Sequence, residues 1–472
     1  MERLPDETII NIASFLPRNN LARYATLSCT WQRAIEWHTF SRLQVFNSGD
    51  DLAVFSRIVW ANSMRRQFLK YLEFGIDYGD GNETLTLSQQ WQRFSEAIAR
   101  DLGRLFRILA ETDDKRGMTL HLQIELGSNN PIDHQPVYPE PCFGLIGNGE
   151  QLPAVKCVSS LILTWVSLPR LTLRTAVDLA KRLPCLRSIN LTTDQYHSFL
   201  EDRYGLANAL VDSGSLLSTE CLKVSLSLEQ TDPRRFDSES SSFNAWIVLN
   251  TMVPNTTTSR LYDPLGAAIR MWSHNLVYLN ISGIFDSSLF WPSKNEQSET
   301  TVTSWPRLKE FYVNLALPTP DRHWYFVEQP GRPGRRNVPC EDTMGPLFEA
   351  WAKALECMPA LKQASVGFQV VRQSRFGYPH SCPWSVIFQA PDATPSSSLG
   401  PWTKNLKPYS PNSRLIFQAT LGWRPERPTM RKLQATLNSR FPDRKMVELE
   451  VDFEGRVSDA NTNRTGLTLF AL

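Results

Sequence analysis

The sequence is poor in the features that mark specialised protein classes. Its eight cysteines (Cys29, Cys142, Cys157, Cys185, Cys221, Cys340, Cys357 and Cys382) include no CxxC pair. Neither a thiolate zinc site nor a disulfide-dense domain is indicated, and reduced thiols in the cytoplasm or nucleus are expected. No apolar run reaches the ~18 residues of a membrane-spanning helix. The start, Met1-Glu2-Arg3-Leu4-Pro5-Asp6-Glu7, has no basic stretch leading into an apolar one, so secretion is not expected. The Asn-x-Ser/Thr triplets at Asn82, Asn190, Asn255, Asn280 and Asn463 therefore read as chance.

An excess of one charge is also missing. Fifty Lys and Arg face 48 Asp and Glu, a formal charge of +2, so neither nucleic acid nor an anionic membrane is the evident partner. Catalytic signatures are absent as well: there is no GxSxG elbow, phosphate-binding glycine loop, dinucleotide fingerprint or HExxH. The seven histidines (His38, His121, His134, His197, His274, His323, His380) are scattered without ligand spacing, and Asp77 to Glu83 reads as an acidic turn, not a calcium loop. No catalytic residue, metal or cofactor is expected.

What remains is ordinary globular composition, 42% hydrophobic and 21% charged over 472 residues, enough for more than one folded body. The densest information lies in residues 4–45, which read as three short helices separated by Pro17 and by the Thr26 to Ser28 region. Asp6 and Glu7 suit the positive end of the first helix. On a helical wheel, Ile9, Ile10, Ile12, Ala13, Phe15 and Leu16 span an arc of roughly 220°, more than a one-sided helix needs. Leu21, Tyr24, Leu27, Trp31, Ile35, Trp37, Phe40 and Leu43 add to a unit too small to bury them all. Something must cover the surplus, either the rest of the chain or another protein.

Leu4-Pro5-Asp6-Glu7, the run from Ile12 to Leu16, Leu21-Ala22-Arg23-Tyr24 and Leu27-Ser28 followed by Trp31 resemble the F-box. The resemblance implies a trihelical module that docks on the adaptor Skp1 and, through it, on a cullin-RING ubiquitin ligase. Carried over by position, Leu4, Pro5, Ile9, Leu16, Leu21, Leu27 and Trp31 would supply or shape the adaptor contact. Many F-boxes have a basic residue two positions before the Trp, where this chain has Cys29.

Past residue 45 one apolar frame recurs. Leu69-x-x-Leu72-x-Phe74, Val158-x-x-Leu161-x-Leu163, Leu186-x-x-Ile189-x-Leu191, Thr219-x-x-Leu222-x-Val224, Leu276-x-x-Leu279-x-Ile281, Leu308-x-x-Phe311-x-Val313 and Leu361-x-x-Ala364-x-Val366 follow it, and Met118 to Leu126 alternates as a strand. Helical patterns at Trp91 to Leu109, Thr172 to Arg182, Pro264 to Trp272 and Met344 to Cys357 alternate with these runs. Pro184, Pro306 and Pro359 end helices two residues before the next leucine. The frame resembles the strand part of a leucine-rich repeat, without the Asn ladder: Asp194, Ile284 and Ala316 stand at the equivalent places. The expected fold is α/β, a small N-terminal trihelical F-box followed by an irregular αβ leucine-rich-repeat-like solenoid; a non-repetitive α/β body is the alternative.

The expected domains are 1–45 (F-box-like), 46–390 (αβ body), 391–413 (loop or linker) and 414–472 (a C-terminal αβ section packed on the body); strands are expected at Trp384 to Gln389, Arg414 to Leu421 and Met446 to Phe453, and a helix at Thr429 to Phe441. The C-terminal section resembles the ends of some uncharacterised fungal F-box proteins in the strand leading into Gly422-Trp423-Arg424-Pro425. Gly127 to Gly149, Asp232 to Ser242, Ser293 to Ser304, Pro330 to Pro339 and Pro391 to Ser413 read as excursions. Arg332, Arg335 and Arg336, and the seven Lys/Arg of residues 424–445, read as solvated basic faces or as a site for an acidic partner. Among Trp272, Trp291, Trp305, Trp324, Trp351, Trp384, Trp402 and Trp423, most are expected in the core, with one or two exposed as binding anchors. The expected role is a non-catalytic substrate receptor that binds a Skp1-type adaptor, through it a cullin, and an unknown target protein, or alternatively a scaffold without a ligase role.

Overall fold

The computed structural model describes residues 4–17, 21–78, 87–113, 117–126, 144–166, 171–193, 200–212, 223–227, 253–254, 261–292, 304–321, 323–329, 332–373, 379–396, 399, 403–404, 406, 410–420, 422–452 and 456–459. The chain is mixed α/β and divides into two compact units, the described part of one ending at Thr193 and that of the other beginning at Leu200. Among the described residues no helix is long and apolar enough to cross a membrane. The expected excursion at Asp232 to Ser242, most of those at Gly127 to Gly149 and Ser293 to Ser304, and the acidic turn beyond Tyr78 lie outside the described residues.

The first unit opens with α1 (Asp6–Ser14), α2 (Leu21–Ala25) and α3 (Cys29–Phe40). Asp6 and Glu7 occupy the first turn of α1, and Pro17 follows its end. Ser28 starts α3 by accepting the Trp31 N–H on its Oγ at 3.3 Å, the usual way to satisfy an orphan donor of a first turn. Then come β1 (Arg42–Phe46), α4 (Asp51–Phe55) running into a π-turn at Ser56–Trp60, α5 (Ser63–Phe68), β2 (Tyr71–Tyr78), α6 (Leu87–Ala110), β3 (Met118–Leu126), β4 (Val158–Val166), α7 (Arg174–Ala180) and β5 (Ser188–Thr193).

These five strands pair in parallel and in chain order, so each crossover must pass over one face of the sheet. The recurrent apolar frame falls into register. Val45, Phe74, Leu122, Leu163 and Leu191 form one row across the sheet, all buried, and Leu72, Leu120, Leu161 and Ile189 form the next. Helix α6 contributes Phe94, Ile98, Leu102, Leu105, Phe106 and Leu109 to the core at helical spacing.

The second unit contains α8 (Leu200–Asp212), β6 (Lys223–Ser227), α9 (Pro264–Trp272), β7 (Tyr278–Gly283), β8 (Glu310–Leu315), a hairpin of β9 (Phe326–Gln329) and β10 (Arg332–Pro339), α10 (Glu341–Glu356), β11 (Gln363–Gln373), β12 (Pro379–Gln389), β13 (Ser413–Gln418), α11 (Arg427–Arg440), β14 (Met446–Val451) and β15 (Val457–Asp459). Strands β6, β7, β8 and β11 are parallel, β12 runs antiparallel between β11 and β13, and β14 is parallel to β13. Leu226, Ile281, Val313, Val366, Val386 and Phe417 form a fully inward row.

Four of the strands are entered in a similar way. The N–H groups of Leu186, Leu276, Leu308 and Leu361 donate to the carbonyl three residues back, at 3.0, 3.0, 3.4 and 3.1 Å. The leucine side chain is buried at each turn, and the two later apolar positions of the frame follow on the strand.

Two readings from sequence are corrected. The frame at Thr219-x-x-Leu222-x-Val224 is displaced by two: Val224 pairs with Leu279 and Leu226 with Ile281. A shift of two keeps the same face of a strand inward, so alternation cannot detect it. Pro330 to Pro339 is no simple loop, since Arg332–Pro339 is a strand paired antiparallel with Phe326–Gln329, with register shifts at Val327/Glu328 and Glu328/Gln329. Prolines and glycines are tolerated there because the pair stands apart from the main sheet and is irregular.

Candidate functional site

Helices α1 to α3 enclose a small core of Ile9, Ala13, Leu21, Ala34 and Ile35, against which Ile10, Leu16, Tyr24, Ala25 and Trp31 pack. Tyr24 and Trp31 bring their rings to 6.2 Å. Within the same unit α3 is tied to α5 by Arg65, whose Nη2 lies 2.9 Å from Glu36 Oε1 and whose guanidinium covers the Phe40 ring at 5.0 Å.

This arrangement separates the seven residues picked out from sequence into two groups. Ile9 and Leu21 are interior, 6% and 9% exposed, and Leu16 and Trp31 are partly covered by the same core. Leu4, at 51%, Pro5 and Leu27, at 62%, face outward. Sequence reasoning placed Phe15 in the apolar arc of α1 without assigning it a contact, yet it is 86% exposed, and Ile12 is 37% exposed. The available signal was the arc's excess width, since a helix end cannot turn a 220° face into so small a core. Cys29, in the first turn of α3, is an exposed free thiol.

A second feature lies in the second unit. Its strands carry polar residues opposite the buried rows, and register places Ser282, Asn314, Gly367, Ser385 and Gln418 in one line across β7, β8, β11, β12 and β13. They line a cavity of about 350 Å³, together with Asn280, Tyr312, Gln369, Trp384 and Leu399. Further along that outer face Ile387 and Ile416 are covered by Leu406, with Leu399 packed beside them. Tyr312 donates to Glu310 Oε2 at 2.9 Å, and burial raises its pKa.

The strongly perturbed carboxyls lie elsewhere in that unit. Asp263, fully buried, accepts the Leu265 and Gly266 N–H groups at 3.2 Å each and so caps α9. It also faces Arg203, itself 1% exposed, at 3.3 Å. Burial raises the Asp263 pKa against the lowering effect of Arg203. Asp286 accepts from the N–H and Oγ of Ser288, and burial, with Asp263 nearby, pushes its pKa up to about 7. These carboxyls cap helices; among the described residues the cavity lining holds no acid, imidazole or thiol. In the first unit both ring nitrogens of His121 are engaged, Nδ1 with Tyr71 Oη at 2.7 Å and Nε2 with Thr164 Oγ1 at 3.1 Å, and burial lowers its pKa. Among the described residues no three His, Cys, Asp or Glu converge on a metal-sized centre.

The tryptophans and basic residues are mostly used in packing. Trp305, Trp351 and Trp384 are fully buried. Trp423 is partly buried beside Trp384 at 5.1 Å and donates its Nε1–H to Glu341 at 2.7 Å. Trp272, Trp291, Trp305, Trp324, Trp351, Trp384 and Trp423 are all buried or partly buried, so the expected exposed anchors are not found among them; Trp402 lies outside the described residues. The Arg336 guanidinium covers the Trp324 ring at 3.8 Å. Arg440 donates to the Leu355, Pro359 and Leu361 carbonyls, and burial lowers its pKa to about 10.

No curated protein matches the chain. Residues 1–43 match the family model described as F-box domain, the span that holds α1, α2, α3 and the uncovered apolar side chains. F-box domains as a family bind Skp1 in SCF-type ubiquitin ligases, in which F-box proteins are typically non-catalytic adaptors. The chain carries an F-box domain at residues 1–43.

Proposed function

We propose that the chain is the substrate-recognition subunit of an SCF-type ubiquitin ligase. The observation that carries this reading is an F-box whose Leu4, Phe15 and Leu27 are left uncovered beside a small core in which five of the described residues are buried. Leu4, Pro5, Phe15 and Leu27 contact the Skp1-type adaptor, with Leu16 and Trp31 at the border, while Ile9 and Leu21 hold the helices in the shape the adaptor meets. Through Skp1 the chain joins a cullin, in the cytoplasm or nucleus.

The rest of the chain, residues 46–390 with the 391–413 connection and the 414–472 section, presents the target protein. The in-register apolar rows and the repeated leucine-anchored turns support leucine-rich-repeat-like αβ units within each compact unit. The chain makes and breaks no bond itself. Its contribution is effective concentration, holding a lysine of the target near a conjugating enzyme brought by the cullin.

The test is affinity capture of the full chain from cells, native against a Leu4→Asp, Leu27→Asp variant. The expected result is Skp1 with a cullin on the native chain only, and a bound protein whose lifetime lengthens when the chain is deleted. Skp1 without a cullin, and no protein stabilised by deletion, would assign the chain to a scaffold role instead.

A further inference from the structure

We infer that the surface meeting the Skp1-type adaptor runs on past the F-box, over α4, the π-turn and α5, where Val54, Ile58 and Met64 form a second apolar contact for the same adaptor. The inference rests on the adaptor reading above and extends it beyond the matched span.

The apolar surplus of the chain is concentrated at its start. Of the eleven large apolar side chains left exposed among the described residues, seven lie between Leu4 and Met64. Three of those seven fall after the F-box: Val54 at 38%, Ile58 at 37% and Met64 at 44%. Single apolar residues scattered on a surface need no explanation, but a contiguous set marks an interaction site. Helix α4 runs straight into the π-turn, which the Ala61 N–H closes on the Ser56 carbonyl at 2.9 Å, five residues back. Leu52, Phe55, Val59 and Trp60 go inward, which leaves Val54 and Ile58, four apart, as outward neighbours. Asn62 then starts α5 by accepting the Met64 and Arg65 N–H groups on its Oδ1, at 3.0 and 3.2 Å, and Met64 stands outward in that first turn. Single π-turns of this kind recur at functional sites.

Arg65 joins the patch to the F-box. Its Nη1 donates to the Ile58 carbonyl at 3.2 Å, its Nη2 donates to Glu36 on α3 at 2.9 Å, and its guanidinium covers the Phe40 ring. Glu36 also accepts from Gln32 Nε2 at 3.2 Å, and Ser28, Gln32 and Glu36, spaced by four, mark one stripe along α3. That stripe runs only about 12 Å from the Leu27 end to Arg65. A contact of standard size, about 800 Å² from each partner, reaches across it. Because the patch is locked to α3, a protein seated on Leu4, Phe15 and Leu27 lies within reach of Val54, Ile58 and Met64.

Titration calorimetry of the full chain against purified Skp1 compares the native chain with Ile58→Ser, Met64→Ser and, as a control from the second unit, Val211→Ser, Met271→Ser. About two fifths of Ile58 and of Met64 is open to a partner. The first double variant should therefore lose about tenfold in Skp1 affinity with its melting unchanged, and the control should lose none. Hydrogen exchange of the native chain reads the same contact without any substitution: Skp1 should slow the amides of residues 54–64 together with those of the F-box. An unchanged affinity in the first double variant, an equal loss in the control, or slowing confined to residues 1–43 would overturn the inference. A dimer of the native chain that the first double variant abolishes, with Skp1 affinity kept, would give the patch to a second copy and overturn it as well. Failure of the adaptor reading itself looks different: the native chain then takes up no Skp1 at all, and this inference falls with it.

Discussion

Phe15→Ala should separate binding from folding at the F-box more cleanly than any other single change. The side chain is 86% exposed, so of the roughly 200 Å² a Phe can bury, about 170 Å² is left uncovered in the isolated chain. At about 25 cal/mol per Å² full coverage by a partner is worth at most about 4 kcal/mol. The β-carbon that remains and imperfect coverage reduce the truncation cost to about 2–3 kcal/mol, a loss of roughly 30- to 150-fold in affinity. The chain's own stability should move by no more than about 0.5 kcal/mol, the usual range for a surface change.

Ile9→Ala is the converse, since Ile9 is 6% exposed within the helical core and its truncation should cost about 2–5 kcal/mol of local stability. Titration calorimetry against purified Skp1 and thermal unfolding of both variants read the two effects separately. An unchanged affinity for Phe15→Ala, or a loss of affinity matched by a loss of fold, would refute the claim that this side chain is left free for a partner.

Other outcomes follow from the second unit. Asp263→Ala strands the buried Arg203 guanidinium and uncaps α9, and should cost about 3–5 kcal/mol in urea unfolding, with part of that recovered when Arg203→Met is added. A cost below about 1 kcal/mol would show that the pair is solvated. Asp286 has its pKa raised from 3.8 to about 7 in the folded chain, so the folded state holds the proton more tightly than the unfolded one. Its effect on stability is flat below about pH 4, falls as pH rises to about 7, and is flat above. Asp286→Asn should remove that slope and gain relative to the native chain as pH rises; parallel stability curves would count against a buried carboxyl. Gly266→Ala would ordinarily favour a helix by about 1 kcal/mol. Here the new Cβ would lie 2.8 Å from Ser288 Oγ and 3.3 Å from the Leu289 nitrogen, so a net loss of about 1–2 kcal/mol is expected, and a raised melting temperature would contradict the packing described.

The parts of the fold legible in the sequence are those set by local periodicity. Met118 to Leu126 alternates and is a strand over those residues, and Pro264 to Trp272 is a helix between the same residues, opened by Asp263 as its cap. Where the answer depended on pairing, sequence could not supply it. The frame at Thr219 was displaced by two because both choices put apolar residues inward. The strand at Arg332–Pro339 is made by its partner Phe326–Gln329, not by its own composition.

The same limit explains the candidate sites. The F-box residues sit within one short segment and could be read together, although only three dimensions separated outward Leu4 and Leu27 from interior Ile9 and Leu21. The polar row gathers single residues from strands far apart in the chain, Ser282 to Gln418. None carries a motif, and register alone brings them into line.

The central claim is an apolar F-box surface that another protein covers. Co-expression of the full chain with Skp1, followed by size-exclusion chromatography of the native chain and a Leu4→Asp, Phe15→Asp, Leu27→Asp variant, tests it most directly. The account predicts a one-to-one complex with the native chain, and a variant that elutes folded and free of Skp1. A native chain that elutes alone and folded, or a variant that keeps Skp1, would contradict it.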